Sequence, residues 1–380
     1  MKVGVIGLGT MGSMALWQLA KKGVTVEGFE QFGIGHDRSA VGGESRLFRT
    51  AYREGAQYVP LLRNAKELWR ELEAESGNQL LNLCGGLTIG KHGSDNMKNV
   101  LKSIQEYNID HEIFSTNEAR KLFPQHRLNE DDVVILDKES GFLRPELAVV
   151  SAVSQAVKLG ASIHKNVKIT QIESTINGVV IHANGNKYEF DQVIVSAGSW
   201  VKELIPEFQH IIEPKRIIMS WFIPESLPEF KVNHYPTFVR TVDTYDFFGL
   251  PTIDQSMVKI AMVGSEEPIG SPDSLDHNIT TEEISDIVHI VENYFNHVHP
   301  DPVRLSAHMD AYTPDEHAIV GQASELPNIL VMTGFSGHGF KMAPVMGKIA
   351  ADLILDGNTM HNINHFNPAR FIRNLGGTKR

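Results

Sequence analysis

The constraint that most limits this chain sits at its start. Gly7-Leu-Gly9-Thr-Met-Gly12 lies between a short apolar run, Val3–Ile6, and a helical pattern from Ser13 to Lys22. In that pattern Met14, Trp17, Gln18 and Lys21 recur at the spacing that shares one helix face. Gly23 stands where a helix C′ residue would end it, and Val24–Phe29 reads as a second strand closed by Glu30. Strand, glycine turn, helix, strand and acid form the start of a dinucleotide-binding βαβ unit. The first glycine makes the turn, the second admits a pyrophosphate, and the third lets helix and strand pack closely. A carboxylate at Glu30 suits ribose hydroxyls and would repel a 2′-phosphate, which favours FAD or NAD over NADP.

The same logic returns at the far end. The apolar run Ile329–Thr333 leads into Gly334-Phe-Ser-Gly337-His338-Gly339-Phe-Lys341, followed by a helical pattern from Ala343 to Leu355. Glycines there allow close backbone approach, and a helix start offers unpaired N–H groups and partial positive charge. Such an element suits a flavin ring, which gains negative charge on reduction. A middle piece, Val167 to Trp200, adds another strand and a tight turn, Ser196-Ala197-Gly198-Ser-Trp200. Between these pieces, Arg216–Val263 alternates in polarity and is rich in aromatics, as an antiparallel sheet would be. The expected fold is therefore α/β (α+β overall). It has a discontinuous Rossmann-like FAD-binding domain over 1–85, 145–215 and 320–380, and an antiparallel-sheet substrate domain over 86–144 and 216–319.

Composition narrows the function. A chain of 380 residues, 42% hydrophobic, has room for roughly two domains of about 100–200 residues. A formal charge of -11 disfavours nucleic acid and anionic membranes as partners. The single cysteine, Cys84, excludes an internal disulfide and fits a reducing cytoplasm. No targeting segment or membrane span is expected, and Gly376–Arg380 reads as a frayed polar tail. His297, His299, His361 and His365 fit no metal-ligand spacing, so no metal is expected.

Three cations stand out. Arg46 and Arg49, three apart in Gly42-Gly-Glu-Ser45-Arg46-Leu-Phe-Arg49, would share a side on a helical turn and could grip a carboxylate or form a solvated basic face. Lys341 could add charge from another direction. Lys259, in the apolar run Met257–Val263, is either an outward strand residue or a buried cation facing a flavin.

Over nearly its whole length the chain resembles the monomeric sarcosine oxidase and N-methyltryptophan oxidase family. The likeness rests on Gly7–Gly12, Glu30, Ser45–Arg49 with Tyr52 and Glu54-Gly55, Tyr58-Val-Pro60, Ser196–Trp200, Pro314–His317 and Gly334–Lys341. It implies FAD, oxidation of a secondary amino acid to an imine that hydrolyses, and O2 as acceptor with H2O2 as product. A cytoplasmic monomer is expected. The resemblance places Arg49 and Lys341 on the substrate carboxylate, Arg46 beside the flavin, and Lys259 where O2 is reduced. Ser45, Val167, Ala197, Gly198, Trp200, Gly334, Gly337, His338 and Gly339 join the cofactor set.

The departures matter as much. The cysteine that bonds the flavin in the family aligns with His308, so the thioether link is excluded and non-covalent FAD is expected. A histidyl link through His308 is chemically conceivable. The pocket tyrosines align with Asp310 and Phe248, a pocket histidine with Val263, and a loop histidine with Gly42. Asp310 in the pocket would favour a cationic or polar substrate group. Two alternatives follow: a flavin dehydrogenase with another acceptor, and an FAD-binding protein without turnover.

Overall fold

The structure is a computed structural model, and it describes residues 1–371. The tail Gly376–Arg380 and the end of the last cofactor segment lie outside the described residues. Two sheets organise the chain. The first has six strands: Ile319–Gln322, Ile329–Thr333, Gln192–Val195, Lys2–Ile6, Thr25–Glu30 and Ser162–Lys165, in that spatial order. All neighbours are parallel except the hairpin of the first two. The opening strand lies inside this sheet and is buried from Val3 to Ile6, as a strand covered on both faces must be.

The glycines act as the sequence pattern requires. Gly7 takes a left-handed φ of +84°, and a Cβ there would lie 2.7 Å from the Ser196 carbonyl oxygen. The helix Thr10–Lys21 begins three residues earlier than its periodicity suggests, directly on the turn. It packs against Pro145–Lys158 and Ala343–Asp356, so the helix after the last glycine turn is its neighbour in space. The helix Val59–Ser76 buries Leu61, Leu62, Ala65, Leu68, Trp69 and Leu72 along one face. Each such large side chain contributes about 1.5–3 kcal/mol by leaving water.

The second large sheet is mixed. Its strands come from Gly86–Lys91, His111–Phe114, Asp132–Asp137 and then Glu213 to Tyr312. Thr237–Val242 pairs parallel to Gly86–Lys91, the exception in an otherwise antiparallel sheet. Its far face packs a core of Phe222, Phe238, Phe247, Ile260 and Ile290. Alternation then puts Phe248, Lys259, Ala261 and Trp221 on the opposite face, toward the first domain.

A small three-stranded sheet joins the two parts. Arg46–Phe48 and Leu81–Asn82 both pair with Gly141–Leu143. Gly141–Leu143 thus belongs with strands of the 1–85 segment, just outside the 145 boundary read from sequence.

Candidate active site

A cavity of about 350 Å³ runs along the carboxyl ends of the parallel strands. At one end it is lined by Gly7, Gly9, Glu30, Val167, Ala197, Gly198 and Trp200. At the other lie Arg46, Asp310, Gly334, Gly337 and Gly339. These residues come from all three cofactor segments and from the second sheet. Gly12 lies outside the lining, and the group nearest its Cβ position is the Gly7 carbonyl: it serves packing of helix on strand.

Glu30 is buried, and its carboxylate accepts N–H bonds from Leu8 at 3.0 Å and Phe32 at 2.9 Å. That anchors the acid at the mouth of the turn. Gly9 and Gly198 leave the cradle open. A Cβ on Gly9 would meet only Val41, at 3.9 Å, and one on Gly198 would meet nothing within 4 Å.

Arg46 and Arg49 do not share a side. Arg46–Phe48 is a strand, not a helical turn, and residues three apart on a strand point to opposite faces. Arg46 lines the cavity, where its guanidinium donates to the carbonyls of Ala40, Gly42 and Ser45. Arg49 points the other way. Asp137 holds the chain beyond it, accepting from Thr50 N–H at 3.0 Å and Ala51 N–H at 2.8 Å.

Around Arg49 a second constellation forms. Its Nη2 donates to Glu54 at 2.9 Å, and its Nε and Nη1 are buried with no protein partner. Lys341 Nζ donates to the His338 carbonyl at 2.9 Å and to Tyr52 Oη at 3.3 Å. Both cations lie against the Tyr52 ring, Arg49 at 5.5 Å and Lys341 at 5.1 Å from its centre. Burial, and then Arg49, bring the Lys341 ammonium down to about 7. Arg49, Arg53 and Lys341 hold the Glu54 carboxyl well below the usual range despite its burial. Arg53 continues the ladder to Asp246 at 2.6 Å.

Lys259 is buried, not an outward strand residue, and lies outside the lining of the cavity. Its Nζ donates to the carbonyls of Gly43 at 2.8 Å and Ser45 at 3.1 Å and sits 5.3 Å from the Trp221 ring centre. Burial and neighbouring Arg46 push its ammonium well below the ordinary lysine range. Ser45 contributes its carbonyl, while its buried hydroxyl has no partner. Phe248 and Val263 are half-buried on the sheet face that carries Lys259, and Val263 pairs with Asp246.

His308 and His338 are drawn away from the cavity. His308 Nδ1 lies 3.0 Å from the Asp37 carbonyl and Nε2 lies 2.8 Å from Ser306 Oγ. Its ring fills the space a side chain on Gly42 would need, since a Cβ there would sit 2.6 Å from Cε1. Burial lowers its imidazole to about 4. His338 bonds Tyr52 Oη at 2.8 Å and the Glu316 carbonyl at 2.9 Å. Asp310 is half-buried against the cavity, and burial raises its carboxyl above the usual range.

Sequence reasoning assigned no role to Glu54, Arg53, Asp246 or Trp221. Glu54 lay within a quoted motif. Asp246 is 193 positions from Arg53, and no local pattern links them.

A family model described as FAD dependent oxidoreductase matches residues 2–353. The chain belongs to this family. Monomeric sarcosine oxidase of Streptomyces avermitilis is 32% identical over 371 residues, covering 96% of both chains. N-methyl-L-tryptophan oxidase of Yersinia pestis (strain Pestoides F) is 30% identical over 370 residues, 97% of this chain and 98% of the relative. Two solved structures share the fold. NikD, an amino acid oxidase of nikkomycin biosynthesis in its open form, gives a TM-score of 0.85 at 18% identity, covering 96% of each chain. L-proline dehydrogenase from P. horikoshii gives 0.83 at 21% identity over 98% of each. The protein is an FAD-dependent oxidoreductase, and the residues lining its cavity fit that cofactor: Glu30 would hold the ribose, with an open glycine cradle beside it and Arg46 and the Gly334–Gly339 turn at the far end. Among the described residues no helix is long and apolar enough to cross a membrane.

Proposed function

We propose that this flavoprotein oxidises the C–N bond of a secondary, N-methyl or otherwise N-substituted, amino acid. The imine then hydrolyses to an amine and a carbonyl product, and O2 is the acceptor, giving H2O2. The observation that carries this reading is the convergence of Arg49 and Lys341 on Tyr52, with two buried Arg49 nitrogens lacking partners. Buried guanidinium nitrogens are costly to leave unpaired, and a substrate carboxylate would satisfy them with charge-assisted bonds.

FAD, when bound, supplies the two-electron acceptor for the C–N bond. The protein's own groups do the rest. Arg49 and Lys341 fix the carboxylate, and so place the amine relative to the cavity. Phe248 and Val263 offer an apolar wall to the N-substituent or side chain. Lys259, a buried cation clasped by carbonyls, offsets the charge that develops as O2 is reduced.

Non-covalent FAD is supported by His308, whose two ring nitrogens are both engaged, and by Cys84. The Cys84 thiol lies off the cavity, and burial raises it to about 11.

Anaerobic bleaching of the bound flavin across a panel of N-alkyl amino acids tests the reading. Bleaching is expected with N-substituted amino acids and lost with the matching amines that lack a carboxylate. Equal bleaching by both sets overturns it. Acid precipitation should leave the yellow colour in the supernatant, and peroxide should appear in proportion to substrate under air.

A further inference from the structure

Three carboxylates line the cofactor cavity: Glu30, Glu203 and Asp310. Glu30 belongs to the nucleotide end, with Gly7 and Val167. Asp310 stands at the other end, on the strand Arg304–Tyr312 of the second sheet. Its Oδ1 accepts the Ala311 N–H at 2.8 Å, and its Oδ2 accepts the Gly337 N–H at 2.9 Å. Gly337 lies in the glycine turn that faces the cavity, with φ at +78°. One N–H of that turn is therefore given to a protein carboxylate. It is not free to stabilise negative charge on a bound ring, and the carboxylate adds charge of the same sign.

Arg46 is the cation placed to offset it, but its guanidinium is committed to the carbonyls of Ala40, Gly42 and Ser45. No direct ion pair joins Arg46 and Asp310 among the described residues. Glu266, the other charged neighbour, adds to the negative side.

We propose that Asp310 sets the charge balance at the ring end of the cavity, disfavouring the build-up of negative charge on the bound flavin. The inference rests on flavin occupying the cavity, and not on which amine is oxidised.

Sulfite tests it without any amine substrate. Sulfite donates its sulfur lone pair to the flavin ring, forming one S–N bond. The displaced electron pair remains as negative charge on the ring, and the visible absorbance is lost. Titrations at pH 8 on holoprotein compare the wild type with Asp310→Asn, Asp310→Ser and Asp310→Glu. Serine is included because the asparagine amide would set an NH2 against one of the two N–H donors. Both neutral variants should bind sulfite at least tenfold more tightly, and Asp310→Glu should stay within threefold of the wild type. Neutral variants within threefold of the wild type overturn the proposal. So does an Asp310→Glu variant that tightens as much as the neutral ones, because packing and not charge would then be the cause. Loss of flavin from both neutral variants also overturns it, by making the carboxylate a cofactor anchor.

Discussion

Arg46 and Arg49 are three residues apart and inhabit opposite electrostatic worlds. With Lys259, Arg46 forms a centre whose hydrogen bonds end on backbone carbonyls of the loop 40–45. With Lys341, Arg49 forms a centre held by one carboxylate, Glu54, one phenol, Tyr52, and one carbonyl, that of His338, with two guanidinium nitrogens left over. Carbonyls are part of the chain and cannot be exchanged for a ligand. Arg46, which stays charged, is thereby fixed as a positive feature beside the cofactor cavity. A centre with spare donors can take up an anion and release it. On the proposed function, the first centre would tune the chemistry and the second would bind substrate.

The sharpest way to break this contrast is Arg49→Met. It removes the donors and leaves Glu54 buried without its strongest partner. Loss of a buried charged hydrogen-bond partner costs about 2–5 kcal/mol, so kcat/KM for the amino acid should fall by roughly 30-fold or more. Flavin content, read from visible absorbance per protein, should hold. An equal fall for amines lacking the carboxylate would mean that Arg49 is not the binding centre.

Lys259→Met probes the other centre. Reoxidation of the reduced enzyme by O2 should slow roughly 100-fold, the scale of losing one preorganised charge at a developing anion. Anaerobic bleaching by substrate should change far less. Stopped-flow measurement of the two half-reactions separates them, and equal slowing of both would merge the two centres into one.

A subtler test uses pH. Burial and Arg49 favour the neutral amine of Lys341 and place it near 7. Its charge is present below that pH and lost above it. Without substrate, carboxylate affinity should weaken as pH rises past 7, approaching tenfold per unit, and a bound carboxylate should draw the inflection upward. Competitive inhibition by a simple carboxylate across pH 6–9 reads this directly, and Lys341→Met should flatten the profile.

The smallest effect belongs to His308, packed on Gly42 beside the carbonyl-clasped centre. Its folded value of about 4 lies below the ordinary 6.5, so the unfolded chain takes up the proton first. Its neutral form therefore stabilises the fold fully above 6.5, and that share is lost as pH falls toward 4. At pH 5.5 the loss is about 1 kcal/mol. Chemical denaturation of wild type and His308→Gln at pH 7.5 and 5.5 should show a smaller acid loss in the variant.

Much of the cofactor half was legible because its signals are local. The turn Gly7–Gly12 and the acid Glu30 lie within one βαβ unit, and the glycine turn before Lys341 sits between a strand and a helix. The substrate half was harder. Arg46 and Arg49 read as a pair on one side, because spacing of three suggests a helix until the pairing with Gly141–Leu143 makes it a strand. Asp246 carried no signal, since its partner Arg53 is brought to it only by the second sheet. Gly141–Leu143 also carried no local signal for its place, because its partners, Arg46–Phe48 and Leu81–Asn82, are distant in sequence.

The sequence by itself determined that this chain builds a nucleotide cradle. Positive φ, close backbone approach and an acid at a strand end are demands that neighbouring residues meet together. Only the tertiary structure decided where the charges face. It turned Arg46 into the cavity and Arg49 toward Tyr52 and Glu54, buried Lys259 among carbonyls, set His308 into the space above Gly42, and tied Asp310 to Gly337. Those outcomes depend on strand register and on contacts between distant segments, and register reverses a side chain's direction at every residue.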